Sequence, residues 1–147
     1  MASKGKRMKP LFVDQIKTYE GELVRKIEPE VLEENIFPEE YWKAIFTGMQ
    51  GVNKRGFDDF PYSIATKTGT STQDIRGKLI DNAVFIAFAP VDKPKLAVAV
   101  IVPEGGYGAY GAAPIARKIF DAYDQNIGLY GTPTGVPNTN GTAGTGQ

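Results

Sequence analysis

Two apolar runs stand out along this chain: Ala83-Val84-Phe85-Ile86-Ala87-Phe88-Ala89 and Leu96-Ala97-Val98-Ala99-Val100-Ile101-Val102. Each has the length of a strand, and the short link through Asp92-Lys93-Pro94 calls for an antiparallel hairpin. Both runs are nearly continuous in apolar residues, the pattern of a sheet covered on both faces. A third strand is predicted from Ile64 to about Ser71. The polar stretch 73–81, centred on Arg76-Gly77-Lys78, reads as an excursion from the sheet.

Helical spacing appears twice. Pro38 suits a first helical turn, and Glu39 and Glu40 complement the positive end of the helix dipole. Tyr41, Trp42, Ile45, Phe46 and Met49 then follow at intervals of three and four, one apolar stripe read as core packing. Gly48 and Gly51 mark its end. A last helix is predicted over 114–125, with Ile115, Ile119, Phe120 and Tyr123 on one face. Ala112 and Ala116 are small enough to let it approach the sheet.

The remaining segments are less patterned. Residues 1–10 are basic and read as a solvated loop. Residues 11–27 read as a hairpin, with Leu11-Phe12-Val13 and Leu23-Val24 as strands around a Glu20-Gly21 turn. Residues 29–36 read as a connection or a short helix. The loop 53–61 carries adjacent Asp58 and Asp59, read as solvated rather than as a catalytic pair. Residues 131–147 are Gly, Thr, Pro and Asn with almost nothing apolar, and are expected to be disordered. The ordered domain is therefore expected over 1–130.

Composition narrows the chemistry. The 147 residues suit one domain with a real core. Lys+Arg and Asp+Glu each number 17, which removes the electrostatic case for a nucleic-acid partner. There is no cysteine and no histidine, so thiol catalysis, a Ser-His-Asp triad and His- or thiolate-ligated metals are excluded. Acid–base work is left to Lys, Tyr, Asp and Glu. No apolar run approaches the ~20 residues of a membrane span. No signal peptide heads the chain, so any export signal of a longer parent is expected elsewhere.

Lys67-Thr68-Gly69-Thr70 is the chemically richest stretch. On a strand, Lys67 and Gly69 point one way and Thr68 and Thr70 the other, unless an edge exposes both sets. Such an edge could bind a carboxylate with hydroxyls and backbone N–H groups while the ammonium sets the field. A rival motif is Gly106-x-Gly108-x-x-Gly111, a formal dinucleotide-binding fingerprint between a strand and a helix. Pro103-Glu104 lengthens its turn, Glu104 puts negative charge where pyrophosphate would sit, and no second strand with a terminal acid follows. A Gly-rich connection that lets a helix pack close to the sheet is the better account.

Taken in order, the Lys67-Thr68-Gly69-Thr70 strand, the phrase from Phe85 to Pro90, the run ending at Val102, the Gly-rich turn and Ala112-Ala113-Pro114-Ile115-Ala116 resemble class B penicillin-binding proteins. The resemblance is to the C-terminal part of their transpeptidase domain. It extends upstream through Gly48-Met49-Gln50-Gly51-Val52 and covers roughly residues 1–129. Thr66 stands where that family usually has glycine, and the loop 53–63 is short and lacks the usual Gly-Thr-Ala phrase.

The resemblance implies an α+β fold: an antiparallel sheet packed by the C-terminal helix, part of the penicillin-binding-protein/β-lactamase-like architecture. It implies a parent D,D-transpeptidase that acylates a serine with a stem peptide and is trapped by β-lactams. Lys67 and Thr70 take catalytic roles, with the Thr70 N–H as half of an oxyanion hole. Thr68, Gly69 and Thr70 bind substrate. No cofactor or metal is implied. The implied partners are the remainder of the domain and membrane cell-wall synthesis proteins, with the parent anchored in the bacterial membrane and this domain outside. Ser3-Lys4-Gly5-Lys6 has the Ser-x-x-Lys spacing but lies in the basic stretch read as a solvated loop, and no Ser-x-Asn motif precedes Lys67, so the chain reads as a portion of that enzyme without its nucleophile. The alternative is a non-catalytic binding module that keeps the sheet.

Overall fold

The computed structural model describes residues 2–34, 37–52 and 55–135. The chain forms two compact units, Met1–Ile45 and Phe46–Gln147.

The second unit is built on a three-stranded antiparallel sheet of order β5-β6-β7, with β5 at Ala65–Ile75, β6 at Lys78–Ala89 and β7 at Leu96–Val102. Ala83, Phe85, Ala87 and Ala89 of β6 face the core with Leu96, Val98, Val100 and Val102 across from them. Helix α3 (Ala113–Asn126) covers that face through Ala113, Ala116 and Phe120. Phe57 stacks on Phe85 at 5.7 Å, and Phe120 meets Phe57 and Phe60 edge-on at 6.0 and 5.7 Å. The expected hairpin of the two apolar runs, the final helix and the α+β class are all observed. On the opposite face, Phe46 of helix α1 (Glu39–Gln50) packs edge-on against Phe88 at 5.2 Å. Further along that face Ala97, Ala99 and Ile101 are exposed.

Three details differ from the sequence pattern. First, the stretch 73–81 is no excursion. Strand β5 continues to Ile75, and β6 begins at Lys78 after a two-residue turn at Arg76-Gly77, both with positive φ (55° and 81°). That is the backbone a tight hairpin needs. The polar residues there are outside the core, yet the ladder still closes, helped by Thr72 Oγ1 donating to Asp81 Oδ1 at 2.6 Å and Gly77 N donating to Asp74 Oδ1 at 2.7 Å. Second, Ile115 and Ile119 of α3 are partly exposed, at 43% and 40%. The buried stripe is Ala113, Ala116, Phe120 and Asp124, because small residues let the helix sit close and leave Phe120 to fill the core. Third, in α1 only Phe46 and Met49 of the predicted stripe are buried.

The first unit contains two small antiparallel pairs ahead of the start of α1. Strand β1 (Arg7–Met8) pairs with β4 (Val31–Glu33), so the basic loop and the connecting segment each contribute a strand. Residues 35 and 36 lie outside the described residues. Strand β2 (Gln15–Lys17) pairs with β3 (Leu23–Lys26). The hairpin is as predicted, but its first strand starts later than Leu11. The turn decides this: Gly21 N donates to Thr18 O at 3.0 Å, and Thr18 N donates to Glu22 O at 2.8 Å. A closed turn at 18–22 fixes which residues can pair.

Among the described residues no helix is long and apolar enough to cross a membrane.

Candidate active-site wall

Lys67, Thr68, Gly69 and Thr70 sit in the middle of β5, opposite Ile86, Phe85, Val84 and Ala83. Directly opposed residues share a face. Thr68 and Thr70 therefore lie on the face that carries α3, and Lys67 and Gly69 on the other. Because β5 is the sheet's edge, both sets still reach solvent. Lys67 and Thr70 are exposed, and Thr68 and Gly69 are half-buried. The Lys67 ammonium donates to the Thr68 carbonyl at 2.6 Å.

Gly69 is not required by packing within the chain. A Cβ there would meet only Val84, at an ordinary 3.6 Å from its Cβ. The glycine leaves the outer surface of the strand smooth without any internal reason for doing so.

Beneath the same point lies the short helix α2 (Gly108–Gly111), which carries the rival glycine motif. Gly108 is buried against the backbone of Gly69 and Val84, and half-buried Gly111 packs against Ala83 and Gly105. These glycines let a helix press on the sheet, as the sequence suggested. Arg55 lies over the Tyr110 ring at 4.1 Å.

Neighbouring polar groups are mostly structural. Arg117 pairs with Asp59 and Asp121 and donates to the Gly56 carbonyl at 2.9 Å, tying the 55–61 loop to α3. Its hydrogen bond lowers the Asp59 pKa, and Asp59 is a partner of Arg117 rather than half of a carboxylate pair. Asp124 accepts from Tyr62 Oη at 2.8 Å, Leu129 N at 2.9 Å and Thr134 Oγ1 at 2.9 Å. Burial opposes its ionisation, but these bonds outweigh it and the carboxyl sits below its ordinary range. Thr134, within the stretch assigned to the tail, is thus held on α3; residues 136–147 lie outside those described. Sequence reasoning missed both clusters, since i,i+4 spacing of Arg117 and Asp121 was the only local signal. Thr66 is fully buried, and its hydroxyl has no hydrogen-bond partner.

None of the three serines is placed as a nucleophile. Ser3 Oγ donates to Lys6 O at 2.7 Å, Ser63 Oγ accepts from Val91 N at 3.0 Å, and Ser71 follows Thr70 on β5. A cavity of about 190 Å³ opens along Lys78, Leu79, Ile80, Asp81, Glu104 and Gly106, and none of the Lys67–Thr70 group lines it.

Residues 1–121 match the family described as penicillin binding protein transpeptidase domain. The chain is 37% identical to the peptidoglycan D,D-transpeptidase MrdA of Haemophilus influenzae, over 56% of this chain and 16% of that protein. It is 28% identical to penicillin-binding protein 2A of Bacillus subtilis, over 70% of this chain and 17% of that protein. Among solved structures, penicillin-binding protein A of Mycobacterium tuberculosis in a ceftriaxone acyl-enzyme complex superposes with a TM-score of 0.72 and 27% identity, covering 82% of this chain and 29% of that one. Penicillin-binding protein 2B of Streptococcus pneumoniae gives 0.68 and 27%, covering 84% and 22%. The chain thus spans about one sixth of the length of the curated relatives it matches. It belongs to the penicillin-binding-protein transpeptidase domains, of the class B kind.

Proposed function

We propose that this chain supplies the Lys-Thr-Gly wall of a serine D,D-transpeptidase that cross-links peptidoglycan stem peptides and is acylated by β-lactams. The observation that carries the reading is the edge position of β5, which brings exposed Lys67 and Thr70 and half-buried Thr68 together beside a glycine the fold does not require. Residues 1–130 form the C-terminal portion of the domain. The nucleophile comes from sequence outside this chain: Ser3 has a lysine three residues on, but it sits exposed in a turn, its hydroxyl donates to the Lys6 carbonyl, and the Lys6 ammonium pairs with Glu34.

In that enzyme the serine oxygen attacks the carbonyl of the donor's penultimate residue. An ester forms, the C–N bond breaks, and terminal D-Ala leaves with the proton. An amine of a neighbouring strand then attacks the ester and restores the serine. The Lys67 ammonium favours proton loss from serine. The Thr68 and Thr70 hydroxyls hold the donor or drug carboxylate. In an antiparallel strand, the N–H and C=O of one residue point the same way, and those two residues on follow suit. The Thr68 carbonyl takes the Lys67 ammonium, consistent with an outward direction, and the Thr70 N–H shares it. That N–H serves the oxyanion, and such donors are typically worth about 3–4 kcal/mol in the transition state. Substrate adds alongside β5 as a further strand. The full protein works on the outer side of the bacterial membrane with other cell-wall synthesis proteins.

Labelling with fluorescent penicillin tests this. The full-length gene product carrying this chain labels covalently, and Lys67→Ala reduces labelling by about 100-fold or more with an unchanged melting temperature. The chain alone takes no covalent label. A full-length product that never labels overturns the reading and leaves the non-catalytic binding module, which the lack of a placed serine here would fit.

A further inference from the structure

The glycine motif that fails as a dinucleotide loop has a job beside the wall. We infer that Gly108 is a positioning residue: its missing side chain lets α2 seat directly on the ladder at Gly69 and so sets where Thr68 and Thr70 present their donors. The inference deepens the transpeptidase reading and rests on it for the catalytic consequence.

The geometry is specific. A Cβ at Gly108 would overlap the Val84 carbonyl oxygen, lie 2.5 Å from Gly69 O and 3.0 Å from Gly69 N. All three are backbone atoms of a paired ladder position, Gly69 opposite Val84, so none can swing aside like a side-chain end. Any side chain at 108 must lift α2 or push the paired Gly69–Val84 position, which holds the glycine of the Lys-Thr-Gly stretch. α2 is itself held from the other end. Gly111 fits against Ala83 Cβ and Gly105 O, Gly106 N donates to Asp81 O at 3.0 Å, and α3 follows directly with Ala112 and Ala113 fully buried. The strand is the weaker partner, because as an edge it is paired on one side only. Between the two strands met there, β6 is held on both sides, so the share of displacement that the sheet takes falls on β5, one residue from both threonines. Gly69 itself has room for a Cβ, so the tight constraint comes from below the strand, at Gly108.

The test uses the full-length protein and separates positioning from folding. Burst amplitude with a chromogenic β-lactam counts active sites, and the acylation rate constant reports their geometry. Gly108→Ala is expected to keep most of the amplitude and lose about 100-fold in acylation rate, the size of effect that a misplacement of ~1 Å produces. Hydrogen exchange of the segment 65–72 is expected to accelerate in the same variant. Gly48→Ala, where a Cβ meets nothing within 4 Å, changes neither. If Gly108→Ala does not fold, Ala109→Gly adds no atoms but loosens α2, and reads the same coupling as a smaller fall in rate at full amplitude. An unchanged rate per active site in the folded variant overturns the inference. If the wild type is never acylated, the transpeptidase reading fails instead, and hydrogen exchange still decides Gly108: unaltered exchange over 65–72 overturns its positioning role.

Discussion

The small hairpins of residues 7–33 and the sheet of residues 65–102 are both antiparallel, yet they bury different things. In the sheet, Phe85 is 2% exposed, and Phe120 of the covering helix is fully buried. In the hairpins every strand residue is exposed, and Phe12 and Tyr19 are 95% and 101% accessible. Both regions fall within the matched transpeptidase family. Family membership therefore does not show where stability resides. Helix α3 turns the β5–β6–β7 face into a core; the hairpins rest on backbone pairing and surface charge.

Deleting an aromatic ring in each region should give the widest separation. Phe120→Ala removes a ring that meets Phe57 and Phe60, and is expected to cost about 3–5 kcal/mol. Tyr19→Ser should change stability by less than about 0.5 kcal/mol, as for surface sites without partners. Urea midpoints measure both. A comparable loss at Tyr19 would break the comparison.

A polar version of the contrast lies at Asp124. Its carboxylate takes three bonds, from Tyr62, Leu129 and Thr134, and Asp124→Asn is expected to cost about 1–3 kcal/mol. The pH dependence has a defined sign. The folded carboxyl titrates below its unfolded value of about 3.9, so the added stability is complete above that pH and disappears as pH falls through the lower folded value. Acid unfolding should show the wild type and Asp124→Asn converging at low pH. A gap that widens on acidification would contradict the assignment.

The same division explains what the sequence made legible. Strands β6 and β7 could be read because they bury one face under α3, and burial writes apolar residues into the chain. The outer arm of β5 and β6, through Gln73 and Asp81, buries little, so its polar residues looked like a loop. Only the Arg76-Gly77 turn geometry reveals the hairpin. Ile115 and Ile119 misdirected the helix face, since apolar spacing does not show that Ala113 and Ala116 set the approach distance. The four residues Lys67 to Thr70 were legible as chemistry, while Gly108 beneath them was legible as a packing glycine but not as a constraint on Gly69. Its role depends on the atoms of Gly69 and Val84, which are distant in sequence.

The smallest effect is expected in the first unit's surface charges. Lys9 Nζ lies 2.7 Å from Glu30 Oε2, with the two side chains 60% and 55% exposed. The backbone already joins these residues, with Lys9 N donating to Glu30 O at 2.9 Å. Removing the side chains therefore leaves the strand pairing intact. Water screens the charges, and ordering two long side chains offsets most of the attraction. A double-mutant cycle of Lys9→Ala and Glu30→Ala should give a coupling below about 0.5 kcal/mol, shrinking further in 1 M salt. A coupling of several kcal/mol that survives salt would show the pair to be sheltered from water. The hairpins would then have a buried interior of their own, and the contrast with the sheet would collapse.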